Sequence, residues 1–456
     1  MQEDNFRLFK NKMEDENLSQ IVLDTFHYYY NKLLLGETGL IDEKSIIPIE
    51  QLTSYENLIN NYSEIGKSVL CKSVIIKLNG GLGTSMGLSE AKSLLKVKNN
   101  LTFLDIIAKQ AINSKIPLVL MNSFNTQEKS LALLEKYSEL ESKIPIDFLQ
   151  HKIPKISSST FKPVNFEQNT ILEWCPPGHG DIYTALVTSG ILDILLNENI
   201  KYAFISNADN LGAVMDLDVL GYFAENKFPF LMEVAERTEA DKKGGHLTMQ
   251  PNGQLLLRES AQCSKVDKEE FQNIAKHKYF NTNNIWVNLK ELKKILSEKN
   301  NILGLPMIVN EKNVDPRNPN SEKVFQLETA MGSAISVFEG ASALVVPRTR
   351  FAPVKTTEDL LAVKSDNYIL TNDFKVIINQ HRKLKPLVVN LDPNFYKLVD
   401  DIESRIPYPL SLVDCEEISI KGDYSFGENV KFVGKVRLEN FSENQLKIAD
   451  NTTFRT

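Results

Sequence analysis

The stretch Ser73–Gly87 (SVIIKLNGGLGTSMG) joins a short apolar, β-branched run directly to a glycine-rich turn. The closely spaced Gly80, Gly81 and Gly83 allow backbone N–H groups to approach phosphate oxygens. The turn is not a Walker A loop, because it lacks a Gly-Lys-Ser/Thr at the required offset. It also departs from the dinucleotide fingerprint, because Met86 stands where the third glycine belongs. The stretch therefore predicts a strand that leads into a phosphate-binding loop of another kind.

Short apolar runs and helical patterns alternate around this stretch. The strand candidates are 73–78, 117–121, 202–206, 229–234, 285–289 and 343–346, and the helix candidates between them include 101–113, 182–196 and 216–225. This alternation predicts a mostly parallel sheet covered by helices on both faces. Ligands bind such sheets beyond the carboxyl ends of the strands, so motifs that directly follow a strand carry the most weight.

The two ends of the chain have a different texture. In the polar residues 1–70, an amphipathic stretch from about Leu18 to Leu35 predicts a helix.

In the last seventy residues, two apolar series recur at every sixth position: Ile418, Tyr424, Val430 and Val436, and Ile420, Phe426, Phe432 and Leu438. A period of six is typical of a hexapeptide β-helix, with an ordinary β-meander as the alternative. So short a β-helix must pack against the main domain. We therefore expect a helical segment at 1–70, an α/β domain at 71–385 and a β-helix at 386–456.

Composition limits the class of protein. The 456-residue chain is 42% hydrophobic and 24% charged, which is an ordinary globular composition, and its net charge of −7 argues against a dedicated nucleic-acid-binding protein. The four widely spaced cysteines form no CxxC pair, which disfavours a zinc knuckle or a disulfide framework. The sequence has neither the apolar core of a signal peptide nor the roughly 18 apolar residues of a membrane span. We therefore expect a cytoplasmic protein that binds neither nucleic acid nor membrane.

Eight motifs occur in a fixed order between residues 70 and 370. They are 78–87 (LNGGLGTSMG), 118–126 (LVLMNSFNT), 174–183 (WCPPGHGDIY), 206–213 (SNADNLGA), 243–245 (KGG), 280–286 (FNTNNIW), 326–332 (QLETAMG) and 348–357 (RTRFAPVKTT). In content and order they resemble the UTP–glucose-1-phosphate uridylyltransferases of the eukaryotic type. The tail from Leu391 resembles the C-terminal left-handed parallel β-helix of that family. The resemblance implies a Rossmann-like mixed sheet of the GT-A nucleotidyltransferase type, with residues 71–385 as the catalytic domain.

The resemblance also implies a reaction and the residues that carry it. A phosphate oxygen of glucose 1-phosphate attacks the α-phosphorus of UTP, giving UDP-glucose and pyrophosphate with the help of Mg²⁺. Lys92 matches the lysine at the β- and γ-phosphates, Asp209 the carboxylate that binds Mg²⁺, and Lys355 the lysine at the α-phosphate and the sugar phosphate. The positions that match the nucleotide loop are Leu78, Asn79, Gly80 and Gly81.

Further positions match the base and the sugar. Met121, Gln150 and Gly178 match positions around the uracil, and Gly81 also faces the second substrate. His179 is expected to donate a hydrogen bond to nucleotide or sugar rather than act as a base. The remaining sugar-side matches are Asn207, Gly245, Asn281, Asn283 and Glu328. The other five histidines show no metal-ligand spacing and are expected to be structural.

Two departures from the family pattern affect the expectations. The chain has Ser89-Glu90-Ala91 where the family usually has Lys-Gly-Pro, and a carboxylate at Glu90 is unfavourable near a triphosphate unless it points away. The last residues, 453–456, offer no final strand to extend the β-helix. In some family members that segment builds end-to-end oligomers, so we expect a monomer or weak dimer.

Two other functions remain open at this stage. One is a pyrophosphorylase with a broader range of sugar 1-phosphates, and the other is a nucleotide-sugar binder without turnover. The joint presence of Lys92, Asp209 and Lys355 favours the enzyme over the binder.

Overall fold

The computed structural model describes residues 2–455. Its α-helices are α1 (Gln2–Asp15), α2 (Gln20–Leu34), α3 (Ser63–Val69), α4 (Phe103–Ser114), α5 (Gln127–Leu134), α6 (Ile182–Thr188), α7 (Ile191–Asn197), α8 (Leu217–Glu225), α9 (Lys268–Phe271), α10 (Leu289–Glu298), α11 (Thr357–Lys364), α12 (Pro393–Tyr396) and α13 (Val399–Arg405). Its strands are β1 (Thr53–Ser54), β2 (Ser73–Asn79), β3 (Lys96–Lys98), β4 (Leu101–Thr102), β5 (Leu118–Asn122), β6 (Asp147–Leu149), β7 (Ile153–Pro154), β8 (Ile156–Ser157), β9 (Trp174–Cys175), β10 (Tyr202–Asn207), β11 (Phe230–Glu236), β12 (His246–Met249), β13 (Leu255–Arg258), β14 (Tyr279–Asn288), β15 (Met307–Asn313), β16 (Lys323–Thr329), β17 (Ser342–Val345), β18 (Tyr368–Leu370), β19 (Val376–Ile378), β20 (Val388–Leu391), β21 (Cys415–Lys421), β22 (Tyr424–Phe426), β23 (Lys431–Glu439), β24 (Leu446–Ile448) and β25 (Thr453–Arg455).

The central sheet is mixed. Its strands lie in the order β1-β17-β11-β14-β10-β2-β5-β6, with the β12–β13 hairpin attached to β14. Neighbouring strands along this path are parallel except at β14, which is antiparallel to both β11 and β10. The chain reaches β14 through a hairpin and the short α9, a connection that suits an antiparallel return. The predicted strand at 285–289 therefore begins earlier, at Tyr279, and runs against its neighbours.

Helices cover both faces of the sheet, as the alternating pattern predicts. Val74 and Ile76 of β2 pack on one side with residues of α6 and α7, whereas Ile75 packs on the other side with α4. The predicted helix at 182–196 is two helices, because Gly190 between them adopts a left-handed φ of 75°. Within residues 2–455, none of the helices combines the length and the apolar character that a membrane crossing requires.

The N-terminal helix is confirmed at α2. Its buried face includes Val22, Phe26 and Tyr30 and packs against Phe9 of α1 and the buried Cys175 of β9. This three- and four-residue spacing is that of one helix face turned to a core.

The C-terminal strands pair in parallel throughout. The order is β20-β21-β23-β25, with a second parallel pair, β22 and β24. Consecutive strands of a β-meander pair in antiparallel fashion, so that alternative is wrong. The six-step residues are largely buried, in one apolar cluster with Met86, Val97 and Val354 of the main domain. These strands and their loops, residues 388–455, which we call the C-terminal coil, therefore pack against the main domain, as expected for so short a segment.

The expectation that the last residues add no strand is wrong. β25 pairs in parallel with residues 431–433 of β23, and the ring of Phe454 stacks on Phe432 with centroids 5.0 Å apart. These two residues are paired in register although they are far more than six positions apart. The connecting loops between them break the six-residue period, so the pattern could not show this strand.

Candidate active site

The glycine-rich loop leaves the carboxyl end of β2, in the middle of the sheet. Gly83 and Gly87 have φ of 65° and 79°, which L side chains rarely adopt, and the turn between them closes with a hydrogen bond from Met86 N to Gly83 O of 2.9 Å. Lys92 then donates its backbone N–H to Gly81 O at 3.0 Å. The loop thus folds back on itself and brings Lys92 beside its own first residues.

A cavity of about 340 Å³, which we call the loop cavity, opens where β2, β5 and β10 end. It contains the residues predicted at the uracil, the nucleotide loop, the β- and γ-phosphates and Mg²⁺, together with His179 and Asn207, whereas Lys355, predicted at the α-phosphate, lies outside it. Its lining residues are Leu78, Asn79, Gly80, Gly81, Lys92, Ser93, Met121, Gln150, Pro176, Gly178, His179, Asn207, Ala208 and Asp209. Because β10, β2 and β5 are parallel, their following loops meet at one edge of the sheet.

Close packing fixes the floor of the loop cavity. The buried Asn79 side chain donates to Asn122 Oδ1 at 2.7 Å and to Ser130 Oγ at 2.9 Å, so it holds the loop from below. A Cβ on Gly80 would lie 2.7 Å from Gln150 Oε1, closer than atoms can approach. Glycine at position 80 therefore lets the Gln150 carboxamide lie directly against the loop.

The opposite wall is formed by Gly178 and His179. Gly178 has a φ of 79°, and a Cβ there would lie 2.4 Å from Thr329 O. His179 Nδ1 accepts a hydrogen bond of 2.9 Å from Met331 N–H. The neutral ring then carries its proton on Nε2. Burial lowers the pKa of His179 from 6.5 to about 4, so the ring is neutral at pH 7 and suited to donate rather than to act as a base.

Lys92 and Asp209 meet inside the loop cavity. Lys92 Nζ lies 2.6 Å from Asp209 Oδ2, and the two side chains are 14% and 22% exposed. The cavity thus holds one cation and one carboxylate that neutralise each other. A bound anion could pair with the Lys92 ammonium group, and a cation that accompanies the anion could pair with the Asp209 carboxylate.

Glu90 does not face the loop cavity. Its carboxylate is paired with the Lys129 ammonium of α5, and both side chains are at least half exposed. The Glu90 carboxylate is therefore not among the groups that line the site predicted for the triphosphate, and its charge is balanced by Lys129.

Three of the predicted sugar-side residues form a second cluster. Asn281 donates its backbone N–H to Gly245 O at 3.2 Å, and its side-chain Nδ2 donates to Asn283 Oδ1 at 2.8 Å. Asn283 has a φ of 58°, in the left-handed region that asparagine tolerates better than most residues. The structure therefore brings Gly245, Asn281 and Asn283 together.

Glu259 belongs to this cluster, although no sequence motif points to it. A Cβ on Gly245 would lie 2.4 Å from Glu259 Oε2. Burial raises the pKa of the Glu259 carboxyl, while the charge of Lys355 and a hydrogen bond from Asn281 oppose that rise. Glu259 follows β13 outside all eight motifs, and a single glutamate there carries no distinctive signal.

The Lys355 side chain lies outside the loop cavity. It is exposed, its Nζ sits 5.6 Å from the centroid of the Phe351 ring, and it lines a neighbouring cavity with Arg348 and Asp359. Its backbone, however, is held close to the loop cavity, because Val354 N–H donates to Asp209 O at 3.2 Å. Lys355 is thus tied to the Asp209 loop through the main chain rather than through its ammonium group.

The structure does not bring Glu328 to either cluster. It lies behind Gly178 and lines a small apolar pocket under α2 with residues such as Tyr29 and Tyr183. Burial raises the pKa of the Glu328 carboxyl, with a hydrogen bond from Asn310 acting in the opposite direction. Its motif, 326–332, nevertheless supplies Thr329 and Met331, whose main chains hold Gly178 and His179.

Three of the remaining histidines are packed into the fold. His151 Nδ1 lies 2.9 Å from Asp181 Oδ1, and its Nε2 lies 2.9 Å from Thr188 Oγ1. The ring of His246 stacks on His277 with centroids 3.9 Å apart. These arrangements are those of structural side chains.

Comparisons with known proteins agree over nearly the whole chain. Residues 23–432 match the family model of UTP–glucose-1-phosphate uridylyltransferase. A protein of that name from Solanum tuberosum is 43% identical over 394 residues, covering 84% of this chain and 80% of the relative. UTP–glucose-1-phosphate uridylyltransferase 2 of Dictyostelium discoideum is 39% identical over 436 residues, covering 93% and 85%.

Solved structures are similar along the entire chain. A variant of UDP-glucose pyrophosphorylase from Leishmania major, in complex with UDP-glucose, superposes with a TM-score of 0.92 at 42% identity, covering 99% of this chain and 98% of that one. A Trypanosoma brucei protein described as UDP-glucose phosphorylase gives a TM-score of 0.88 at 43% identity, covering 99% and 100%.

Proposed function

The chain belongs to the UTP–glucose-1-phosphate uridylyltransferase family, and from this membership we propose how its residues carry out the family reaction. The enzyme transfers the uridylyl group of UTP to glucose 1-phosphate and releases pyrophosphate, forming UDP-glucose. One observation carries the proposal: residues from separate loops, each matched by sequence to a nucleotide-binding position of the family, line a single cavity at the carboxyl edge of the sheet.

UTP occupies the loop cavity. The Gln150 carboxamide both donates and accepts hydrogen bonds, which suits the imide edge of uracil, and Met121 and Gly178 form the walls beside it. Gly80 and Gly81 leave the backbone of the loop open to the phosphates. A Cβ at Gly81 would meet no atom within 4 Å, so this residue faces free space.

The chemistry is an in-line displacement at the α-phosphorus. A phosphate oxygen of glucose 1-phosphate forms the new P–O bond while the bond to the pyrophosphate oxygen breaks. Two anionic reactants must be aligned and their charge compensated, so positioning and electrostatics supply most of the rate enhancement. Lys92 pairs with the β- and γ-phosphates that leave, and Lys355 stabilises charge on the α-phosphate and the sugar phosphate.

Asp209 is the residue that suits Mg²⁺. Among residues 2–455, no group of three or more His, Cys, Asp and Glu side chains could hold a metal ion. A single carboxylate facing a phosphate-binding cavity nevertheless fits Mg²⁺, which commonly takes one or two carboxylates together with substrate phosphates and water. When bound, Mg²⁺ neutralises phosphate charge and lowers the electrostatic cost of the attack.

Glucose binds beside the nucleotide. His179 and Asn207 both line the loop cavity, and because His179 Nδ1 accepts from Met331 N–H, its Nε2 carries the proton that can be donated to the substrate. Asn281, Asn283 and Glu259 add the amide and carboxylate groups that hydrogen-bond sugar hydroxyls. We assign Glu259 rather than Glu328 as the carboxylate on the sugar side, because only Glu259 lies against Gly245 and Asn281.

Release of pyrophosphate from UTP, measured with a panel of sugar 1-phosphates and with or without Mg²⁺, tests the proposed function. We expect turnover with glucose 1-phosphate that requires Mg²⁺. Comparable turnover with galactose or N-acetylhexosamine 1-phosphates would instead identify a broader pyrophosphorylase. UTP binding without turnover on any sugar would identify a binder and contradict the proposal.

Gly178→Ala is expected to raise the KM for UTP about tenfold and to destabilise the fold by about 1–3 kcal/mol, because the new Cβ would meet Thr329 O at 2.4 Å. Gly190→Ala is the matched control: Gly190 has a similar φ of 75°, but a Cβ there meets nothing within 4 Å. Steady-state kinetics and thermal unfolding of both variants provide the measurement. Equal KM values in the two variants would show that the Gly178 contact does not shape the nucleotide site.

Three properties complete the proposal. The C-terminal parallel coil is left-handed and docks on a catalytic domain of the GT-A type. The enzyme is a monomer or weak dimer and acts in the cytoplasm. Light scattering tests the oligomeric state, and a mass of six or more subunits would contradict it.

A further inference from the structure

Two catalytic loops of the proposed mechanism start from strands that are not neighbours. Asp209 follows β10 and Lys355 follows β17, and β14 and β11 lie between these strands in the sheet. Three inter-strand steps correspond to about 14 Å. The reaction needs both residues at one phosphate group, so the two loops must be held together across the intervening strands.

The loops touch directly through their main chains. Val354 N–H donates to Asp209 O at 3.2 Å, and Asn210 and Pro353 form an isolated β-bridge. A Cβ on Gly212 would lie 2.3 Å from Thr349 O, so the chains approach as closely as glycine permits.

Asn210 connects the two loops with its side chain. Its Oδ1 accepts from Ala352 N–H at 2.9 Å and from Gly212 N–H at 3.1 Å. Its Nδ2 donates to Arg350 O at 3.1 Å and to Asn284 Oδ1 at 3.2 Å. The side chain is buried, and both lone pairs and both protons of its amide are used.

A buried ion pair anchors the Lys355 loop to the intervening strands. Arg350 Nε and Nη2 donate to the two carboxylate oxygens of Glu233 in β11, at 2.8 and 2.6 Å. Glu233 is fully buried and also accepts from Trp286 Nε1 and Asn284 Nδ2 of β14, each at 2.9 Å. A buried ion pair often adds little stability compared with apolar side chains of the same size. Its bidentate geometry, in contrast, fixes where the Arg350 main chain lies.

We propose that Asn210, Glu233 and Arg350 are positioning residues. Together they hold the Lys355 loop at a fixed place beside Asp209. None of the three lines the loop cavity, so they act through Lys355 rather than on the substrates. The proposal rests on the role given above to Lys355.

A double-mutant cycle between Asn210 and Lys355 tests the proposal. We expect Asn210→Ala to lower kcat about 10- to 100-fold while the Kd for UTP changes less than about twofold, because the cavity walls are intact. In a Lys355→Ala background the same substitution is expected to have almost no effect on kcat, since the residue being positioned is gone. Asn440→Ala is the matched control. Asn440 is a buried asparagine of the C-terminal coil that donates to Asp423 O at 2.8 Å and Asn444 O at 2.9 Å.

Each outcome of the cycle is decisive. An equal loss of kcat with and without Lys355 would overturn the proposal, as would an unchanged kcat in Asn210→Ala or in Lys355→Ala. A parallel loss of kcat in Asn440→Ala would show that destabilisation alone is responsible. If Asn210→Ala does not fold, Asn210→Ser serves in its place. Failure of the proposed function is recognised separately, because the wild-type chain would then release no pyrophosphate.

Discussion

Lys355→Ala is expected to lower kcat for UDP-glucose formation by about 10²–10³-fold, the effect of removing one charge-stabilising group from a transition state. The Lys355 side chain is exposed, and its backbone N–H, not its ammonium group, donates a hydrogen bond of 2.8 Å to Asp359 Oδ2. The cap of α11 is formed by Thr356 and Asp359 and does not use the Lys355 side chain. Folding should therefore be unaffected, with a melting temperature within about 1–2 °C of the wild type.

The measurement is pyrophosphate release at saturating UTP and glucose 1-phosphate, with UTP binding measured separately at equilibrium. UTP affinity is expected to change little, because the Lys355 side chain lines a neighbouring cavity and not the loop cavity. Lys383→Ala provides the control, since Lys383 is also an exposed lysine. A wild-type kcat in Lys355→Ala would show that another cation neutralises the α-phosphate.

The outcome at Lys355 also separates two ways in which a lysine could serve this site. Lys92 is already inside the loop cavity and paired, whereas Lys355 is held near it only by the contact of Val354 with Asp209. A loss of kcat without loss of UTP affinity means that the ammonium group of Lys355 acts in the transition state. A loss of affinity with unchanged kcat means that it only helps to bind the substrates.

The residues predicted from the sequence to bind the nucleotide largely line one cavity, because much of that cavity is built from main chain. A Cβ at Gly80 would lie 2.7 Å from Gln150 Oε1 and a Cβ at Gly178 would lie 2.4 Å from Thr329 O, so glycine suits both positions, whereas Gly81 faces free space. A strand followed at once by such glycines also fixes where the loop lies, at the carboxyl edge of the sheet. The position of the glycine-rich loop in the sheet could therefore be predicted from local sequence alone.

The sugar side was harder to predict, because it is assembled from distant segments. Glu259 reaches Gly245 and Asn281 only through the pairing of β12 with β13 and β14, and no local pattern reveals that arrangement. Glu328 is the converse case: its motif was recognised, but Glu328 lines the pocket under α2 and not the loop cavity. The antiparallel direction of β14 was likewise invisible, since a buried strand has the same apolar pattern in either direction.

The net charge of −7 does not conflict with two anionic substrates. Coulomb interactions between exposed charges fade over about 8–10 Å at physiological salt, so the acidic surface has little influence inside a cavity. Within the loop cavity the balance is set locally by Lys92 and Asp209, which neutralise each other. A change of one charge there alters the site far more than the same change on the surface.

Asp209→Asn is expected to show how the opposite charges of Lys92 and Asp209 affect catalysis and the dependence on Mg²⁺. The variant keeps the shape of the side chain and can still accept a hydrogen bond from Lys92, but it removes the negative charge that holds Mg²⁺. We expect kcat to fall about 10²-fold or more at ordinary Mg²⁺ concentrations, and the Mg²⁺ concentration for half-maximal rate to rise at least about tenfold.

The same substitution is not expected to weaken the binding of UTP in the absence of Mg²⁺, in contrast to its effect on kcat. Removing a carboxylate from a cavity that receives a triphosphate, and freeing the Lys92 ammonium from its partner at 2.6 Å, should leave the affinity unchanged or increase it. A variant that was merely misfolded would lose both activities together. Asp423→Asn is the matched control, because Asp423 is an ion-paired carboxylate 2.8 Å from Arg405 in the C-terminal coil. A wild-type Mg²⁺ profile in Asp209→Asn would remove Asp209 from the metal site, and weaker binding of Mg²⁺-free UTP would show that its main role is to orient Lys92.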